Sequence, residues 1–189
     1  MMQSAINLLT VEEYLELEQT NEIRHEYLGG QVFAMSGSSK EHNLITGNII
    51  TLLRPHLRAS SYRVFFSNMK LKVKLEKLDI FYYPDILVTC NSNDNEKYFK
   101  TSPKLIVEVL SNSTQTIDRR EKLFYYQMLE SLQEYVLVSQ DEVKVEVYWK
   151  NNQGNWSIKT LGKDDELHLY SIDLTLTMTQ IYEDVVKII

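Results

Sequence analysis

Two short apolar runs, each holding one acidic residue, constrain this chain more than any other feature. They read Tyr82-Tyr83-Pro84-Asp85-Ile86-Leu87-Val88 and Lys104-Leu105-Ile106-Val107-Glu108-Val109-Leu110. Aliphatic and β-branched residues bounded by turn signals read as buried strands. An ionised carboxylate in such a strand is unfavourable unless something cationic compensates it. Two such carboxylates, followed by a helical segment carrying Lys122, suggest a divalent-metal site that hydrolyses a phosphodiester.

The elements around these runs alternate in type. Thr10 before Val11-Glu12-Glu13 is an N-cap with a glutamate at the capping-box position, so a short helix begins there. Gly29-Gly30 between apolar flanks predicts a hairpin over 27–35. Leu44, Ile45, Ile49, Leu52 and Leu53 recur at helical spacing between Ser39 and Ala59, and Pro55 should end or kink that helix. Arg63 to Phe66 reads as a strand. A second strand, Met69 to Leu75, alternates strictly and puts Lys70, Lys72 and Lys74 on one face. Asp118 is placed to cap a helix running to about Leu129, with Glu121 completing a capping box. The remainder is β-rich (Tyr135–Val138, Val143–Trp149, Trp156–Leu161), and Ile181 to Ile189 reads as a short terminal helix. The order implies one domain over 1–189, a mixed α/β sheet core flanked by helices with a β-rich C-terminal part.

Hydrophobic content of 43% and charged content of 24% describe a globular chain. No apolar stretch approaches the roughly 18 residues a membrane span needs. Met1 to Thr10 lacks the basic flank and apolar centre of a signal peptide. The lone Cys90 rules out an internal disulfide and points to a reducing cytoplasm, and there is no zinc-type ligand spacing. The net charge of −6 argues against non-specific coating of nucleic acid. Between Arg54 and Lys77, however, Arg54, Arg58, Arg63, Lys70, Lys72, Lys74 and Lys77 face only Glu76, giving +6 there and −12 elsewhere. Such a stretch either keeps a surface wet or holds a phosphate backbone. Arg54, Arg58, Lys70, Lys72 and Lys74 are the candidates for the second role.

Asp85 and Glu108 are separated by a loop long enough for their strands to pair, so their oxygens can share one Mg²⁺ or Mn²⁺. A metal-bound water then serves as nucleophile while the cation stabilises charge on the phosphate. Asp118, Lys122 and Tyr126 follow at intervals of four and can share one helix face. Plainer readings stay open: Asp85 as a turn residue, Glu108 in a structural salt bridge with Arg119 or Arg120, Lys122 as an ordinary helical partner of Asp118. A phosphate-cradling glycine motif and a nucleophile elbow are both absent from the sequence. The tryptophans and most tyrosines read as packing residues.

Four stretches in order, Tyr83-Pro84-Asp85-Ile86-Leu87-Val88-Thr89, Leu105 to Ser111, Asp118-Arg119-Arg120-Glu121-Lys122 and Ser131 to Ser139, resemble the Uma-two family of the PD-(D/E)XK nuclease superfamily. The N-terminal His25-Glu26-Tyr27-Leu28-Gly29-Gly30, Met35-Ser36-Gly37 and His42-Asn43, and the late Ile181-Tyr182-Glu183, are similar to it as well. The resemblance implies a restriction-endonuclease-like fold, with Asp85 as a metal-binding acid and Glu108 at the second acidic position. The strand position that usually holds lysine is Leu110 here, which makes Lys122 the substitute. It also implies Glu26 as an auxiliary metal-binding acid, and His42 matches a family position of underived role. Asn112 stands where relatives often have proline, and Asn68 where an acid is frequent.

The expected protein is therefore a metal-dependent endonuclease acting on nucleic acid, double-stranded DNA above all, as a homodimer whose β-rich C-terminal part is a candidate interface. The alternative is a binding module that keeps the nuclease fold and does not cleave.

Overall fold

A computed structural model describes residues 8–111 and 114–185. The capping box at Thr10 starts α1 (Val11–Thr20): Thr10 Oγ1 accepts from Glu13 N at 3.2 Å, and Glu13 Oε2 accepts from Thr10 N at 2.8 Å. The hairpin follows as β1 (His25–Leu28) and β2 (Gln31–Ala34). Gly29 and Gly30 turn it with φ of 56° and 101°, and a Cβ on Gly30 would come within 2.8 Å of Leu8 Cβ. That close approach excludes larger residues. Helix α2 (Lys40–His56) is capped by Ser39, and Pro55 falls in its last turn, one residue before it stops.

Then come β3 (Arg63–Phe66), β4 (Lys70–Leu75), β5 (Leu78–Tyr82), β6 (Ile86–Thr89), β7 (Phe99–Lys100) and β8 (Pro103–Leu110). The run around Asp85 is therefore two strands. Tyr82 ends β5 in one sheet and Ile86 opens β6 in another, so Asp85 sits at the crossing. Pro84 explains the break, because it cannot donate to a ladder and fixes its own φ.

The lysine-bearing segment also departs from expectation. Asp118 does not cap a helix. Helix α3 (Gln115–Ile117) starts earlier, Asp118–Lys122 form a π-helical turn, and α4 (Leu123–Gln127) completes the segment. Strands β9 (Glu134–Ser139), β10 (Val145–Lys150) and β11 (Trp156–Leu161) match the predicted β-rich end. The ribbon β12 (Glu166–Leu169) and β13 (Leu174–Thr177) was not foreseen. The terminal helix α5 (Met178–Ile181), capped by Thr177, ends at the residue where the sequence reading began it. Of that reading, 186–189 lie outside the described residues, as does Asn112.

Two sheets organise the chain: β2-β1-β5-β4-β7 and β11-β10-β9-β8-β6-β3. Both are mixed, with β8 parallel to β9 and β4 parallel to β7 and other neighbours antiparallel. The six-stranded sheet separates two cores. On one face Leu105, Val107 and Val109 of β8 pack with Ile45, Ile49 and Leu53 of α2 and with Ile181 of α5. On the other, Ile106 and Leu110 meet Tyr126, Tyr135 and the β4–β5 residues Leu71, Val73 and Ile80. The strand period of two puts Glu108 on this second face, between Ile106 and Leu110. A third cluster of Tyr14, Tyr27 and Phe81 seats α1 on the five-stranded sheet.

Candidate active site

The pairing of β6 with β8 is antiparallel with Ile86 opposite Val107, which brings Asp85 beside Glu108. Their backbones exchange side-chain bonds. Asp85 N donates to Glu108 Oε2 at 3.1 Å, and Val109 N donates to Asp85 Oδ2 at 2.7 Å. His42, in the first turn of α2, places Nε2 3.0 Å from the same Asp85 Oδ2. The π-helical turn carries Lys122 inward, where its Nζ stands 3.2 Å from Glu108 Oε1, 3.1 Å from Glu26 Oε1 and 3.2 Å from Asp118 Oδ1. Tyr126 donates its hydroxyl to Glu108 Oε1 at 3.2 Å. Glu26 reaches the cluster from β1 and accepts weakly from Tyr83 N at 3.4 Å.

All seven residues singled out from sequence for the site, Glu26, His42, Asp85, Glu108, Asp118, Lys122 and Tyr126, thus converge from five segments. One of the plainer readings fails, since Arg119 pairs with Glu146 at 2.8 Å and not with Glu108. Another holds in part: Lys122 does pair with Asp118, and with Glu26 and Glu108 as well. The five basic candidates do not stay together. Arg54 and Arg58 are exposed, whereas Lys70 is buried, with its ammonium 5.1 Å from the Tyr83 ring centre. Lys72 is held at 2.9 Å by Asp79 and lies over Phe81, leaving Lys74 as the exposed member of that face. Packing of the five-stranded sheet under α1 removes Lys70 from solvent, so the expected open lysine stripe is not present.

Sequence reading missed the supports of the site. Tyr83 gives its N–H to Glu26 and its hydroxyl to the buried Glu18, which also binds His25 Nδ1 at 3.1 Å. Tyr135 donates to the Asp118 carbonyl at 3.1 Å, and Tyr82 to Glu121 at 2.6 Å. The Tyr82-Tyr83 pair before Pro84 was the available signal, since buried tyrosines require hydroxyl partners.

Electrostatics favour a further cation. Three carboxylates (Glu26, Glu108, Asp118) share Lys122, and the fourth, Asp85, has His42 as its basic partner. Burial, together with the neighbouring acids, pushes Glu108 well above the ordinary carboxylate range against the pull of Lys122. Burial also works against the Lys122 ammonium, but Glu108, Glu26 and Asp118 outweigh it and hold its affinity for the proton well above normal. Burial alone would lower His42, and its bond to Asp85 raises it overall. Asp118 Oδ1 is buried and accepts no hydrogen bond among the described residues, although the Lys122 ammonium stands near it.

His42, Asp85, Glu108, Asp118 and Lys122 line a cleft of about 80 Å³ together with Ser36, Ser38 and Thr114. Among the described residues no group of three or more His, Cys, Asp or Glu side chains encloses a metal position. The donors suit Mg²⁺ or Mn²⁺, which take hard oxygens and keep several waters while using only one or two carboxylates. Asp85 and Glu108 supply that number.

The mixed α/β architecture, with an acid at the entry to β6 beside another on β8, is that of a restriction-endonuclease-like protein. The solved structure described as "Crystal structure of a putative nuclease belonging to DUF820" from Anabaena variabilis is similar over 94% of this chain and 99% of its own, with a TM-score of 0.74 at 17% identity. The Uma2 family, described as "Putative restriction endonuclease", matches residues 11–179, and the chain belongs to it. Two uncharacterized Synechocystis proteins are similar in sequence. One, slr1290, is 38% identical over 92% of this chain and 91% of its own length; the other, sll1609, is 32% identical over 88% and 96%.

Proposed function

We propose that this chain is a single-domain, metal-dependent endonuclease that hydrolyses phosphodiester bonds in DNA. The observation that carries the reading is the meeting of Asp85, Glu108 and Lys122, from a strand entry, a strand and a helical turn, at one cleft. Asp85 and Glu108 would hold Mg²⁺ or Mn²⁺, with Glu26 as a neighbouring acid. Such an ion supplies a water of lowered pKa and charge stabilisation at the phosphate.

The residues around it have separable tasks. Lys122, a buried cation with three donors, orients the attacking water or neutralises charge on the pentavalent phosphate. Tyr126 fixes Glu108 Oε1 from one side while Lys122 fixes it from the other. His42 and Val109 N hold Asp85 Oδ2, which orients the carboxylate that lines the cleft. Asp118 balances Lys122 when Glu108 turns to another cation.

We propose a homodimer, since cutting a duplex requires two sites. Strand β11 supports this: it ends the six-stranded sheet, and Ile158 on it is 54% exposed. Cys90, free and exposed, suits a reducing cytoplasm. Among the described residues no helix is long and apolar enough to cross a membrane.

The test is cleavage of supercoiled plasmid with Mg²⁺ or Mn²⁺ by wild type, Asp85→Ala and Lys122→Ala. Nicking or linearisation lost in both variants is the expected result. Activity persisting in Asp85→Ala would overturn the assignment. A silent binding module, favoured by the closed contact of Lys122 with its acids, would bind DNA and show no metal-dependent cleavage at all.

A further inference from the structure

Helix α2 carries different chemistry at its two ends. His42 in the first turn touches Asp85, whereas Arg54 stands in the last turn. At about 1.5 Å per residue the two are separated by about 18 Å along the axis. Arg54, Arg58 beyond the helix end and Arg63 opening β3 line one surface groove of about 570 Å³. Its lining contains no Asp or Glu, and none of the three guanidinium groups forms an ion pair among the described residues.

The favourable position of a cation at a helix C-terminus accounts for Arg54 but not for Arg58 or Arg63, which lie outside the helix. Arg63 is also fixed: its Nη1 donates to the carbonyls of Ser60 at 3.0 Å and Tyr62 at 2.9 Å, and its remaining donors stay available. Phe66 lines the same groove and is 48% exposed, an aromatic face in water within a cationic surface. Asn68 borders both this groove and a second depression of about 360 Å³, which His42 and Asp85 also line. The surface therefore runs from the arginines to the acids.

The geometry points to a second nucleic-acid contact, away from the bond being cut: the groove holds the backbone of the flanking strand, with Arg54, Arg58 and Arg63 on phosphates and Phe66 against a base or sugar. The arginines act as charge and fork donors toward phosphate oxygens. Phe66 supplies the sequence-tolerant contact that aromatic rings make on strand-binding surfaces. Phosphates on one strand of a duplex recur about every 3.4 Å of axis, so an offset of about 18 Å places this surface on the order of five nucleotides from the scissile phosphate. The position relative to the cut rests on the nuclease reading; the groove's affinity for nucleic acid does not.

The test is fluorescence anisotropy of a labelled DNA duplex of about 24 base pairs, in EDTA, titrated with the full-length protein across NaCl concentrations. Arg54→Ala/Arg58→Ala is expected to bind at least about ten-fold more weakly. Its log–log salt slope should be shallower by about two, since each phosphate left without its arginine removes about 0.9. Arg54→Lys/Arg58→Lys restores most of the slope, which a fold defect would not allow. Phe66→Ala is expected to bind about five-fold more weakly with no change of slope.

Equal affinity and slope for the folded arginine variant would overturn the groove, as would a wild type that does not bind DNA. The nuclease reading fails separately. A wild type that binds with full salt slope yet never cleaves plasmid removes the nuclease and keeps the groove. A wild type and an arginine variant that cleave and bind alike keep the nuclease and remove the groove.

Discussion

Lys122 Nζ and Tyr126 Oη both approach within 3.2 Å of the same oxygen, Glu108 Oε1, so two side chains from one helical segment fix a carboxylate on the neighbouring strand. Removing the ammonium leaves Glu108, Glu26 and Asp118 buried or half-buried without their shared cation. Breaking a buried pair from one side typically costs about 3 kcal/mol or more, because the remaining charge is uncompensated. Lys122→Met should therefore lower the melting temperature by several degrees and abolish cleavage. Adding Glu108→Gln to it should recover much of the stability and none of the activity. Thermal denaturation beside plasmid cleavage checks both halves.

Metal should stabilise the native state in proportion to its affinity. A ligand at about a hundred times its Kd adds about 2.7 kcal/mol. Mg²⁺ or Mn²⁺ is thus expected to raise the melting temperature of wild type in a concentration-dependent way and to leave Asp85→Asn unmoved. His42 Nε2, 3.0 Å from Asp85 Oδ2, orients that carboxylate, and partners of this kind typically contribute about 10- to 100-fold in metal affinity or activity. His42→Ala should shift the metal titration by about that factor while retaining the fold. Identical midpoints for wild type and His42→Ala would show that His42 does no orienting.

Lys70 is expected to matter for neither binding nor cleavage. Its ammonium is buried over the Tyr83 ring, and burial lowers its affinity for the proton. Lys70→Met keeps the stem's packing and removes a poorly solvated charge, so its stability should stay within about 1 kcal/mol of wild type or exceed it. Its DNA affinity should match wild type in the anisotropy titration, in contrast to the arginine variant.

The residues of the candidate site were more conspicuous in the sequence than the details of its scaffold, for a physical reason. Carboxylates in apolar runs and a lysine nearby are conspicuous because burial makes them unfavourable unless paired, so Asp85, Glu108 and Lys122 stood out. Cross-sheet assignments were less legible. Nothing local to Tyr82–Val88 distinguishes one long strand from two, except Pro84. The π-helical turn at Asp118–Lys122 is invisible to a period-of-four argument, which expected Asp118 as a cap. The lysines of β4 alternate like a solvated face, yet α1 packs on their sheet through the Tyr14–Tyr27–Phe81 cluster, and Lys70 is out of water. Ribbon β12–β13 is short and its docking is long-range: buried Glu134 accepts from Tyr170 N and Ser171 N at 3.0 and 2.9 Å, a pairing no local pattern announces.

The proposed dimer is testable on the open edge of the larger sheet. Strand β11 pairs only with β10, leaving its other side without a strand partner among the described residues. An unpaired edge invites another strand unless charge or a bend protects it, and Ile158 and Thr160 are exposed there beside one charge, Lys159. A two-fold pairing of β11 with its copy would extend the sheet across both subunits. Ile158→Lys adds a like charge on each side of that axis and should convert a dimer into a monomer by light scattering, with little change of melting temperature. The monomer should still nick supercoiled plasmid, since Asp85, Glu108 and Lys122 all belong to one chain, but should linearise it more slowly than it nicks. A wild type already monomeric at micromolar concentration would overturn the dimer and leave the cleft chemistry untouched.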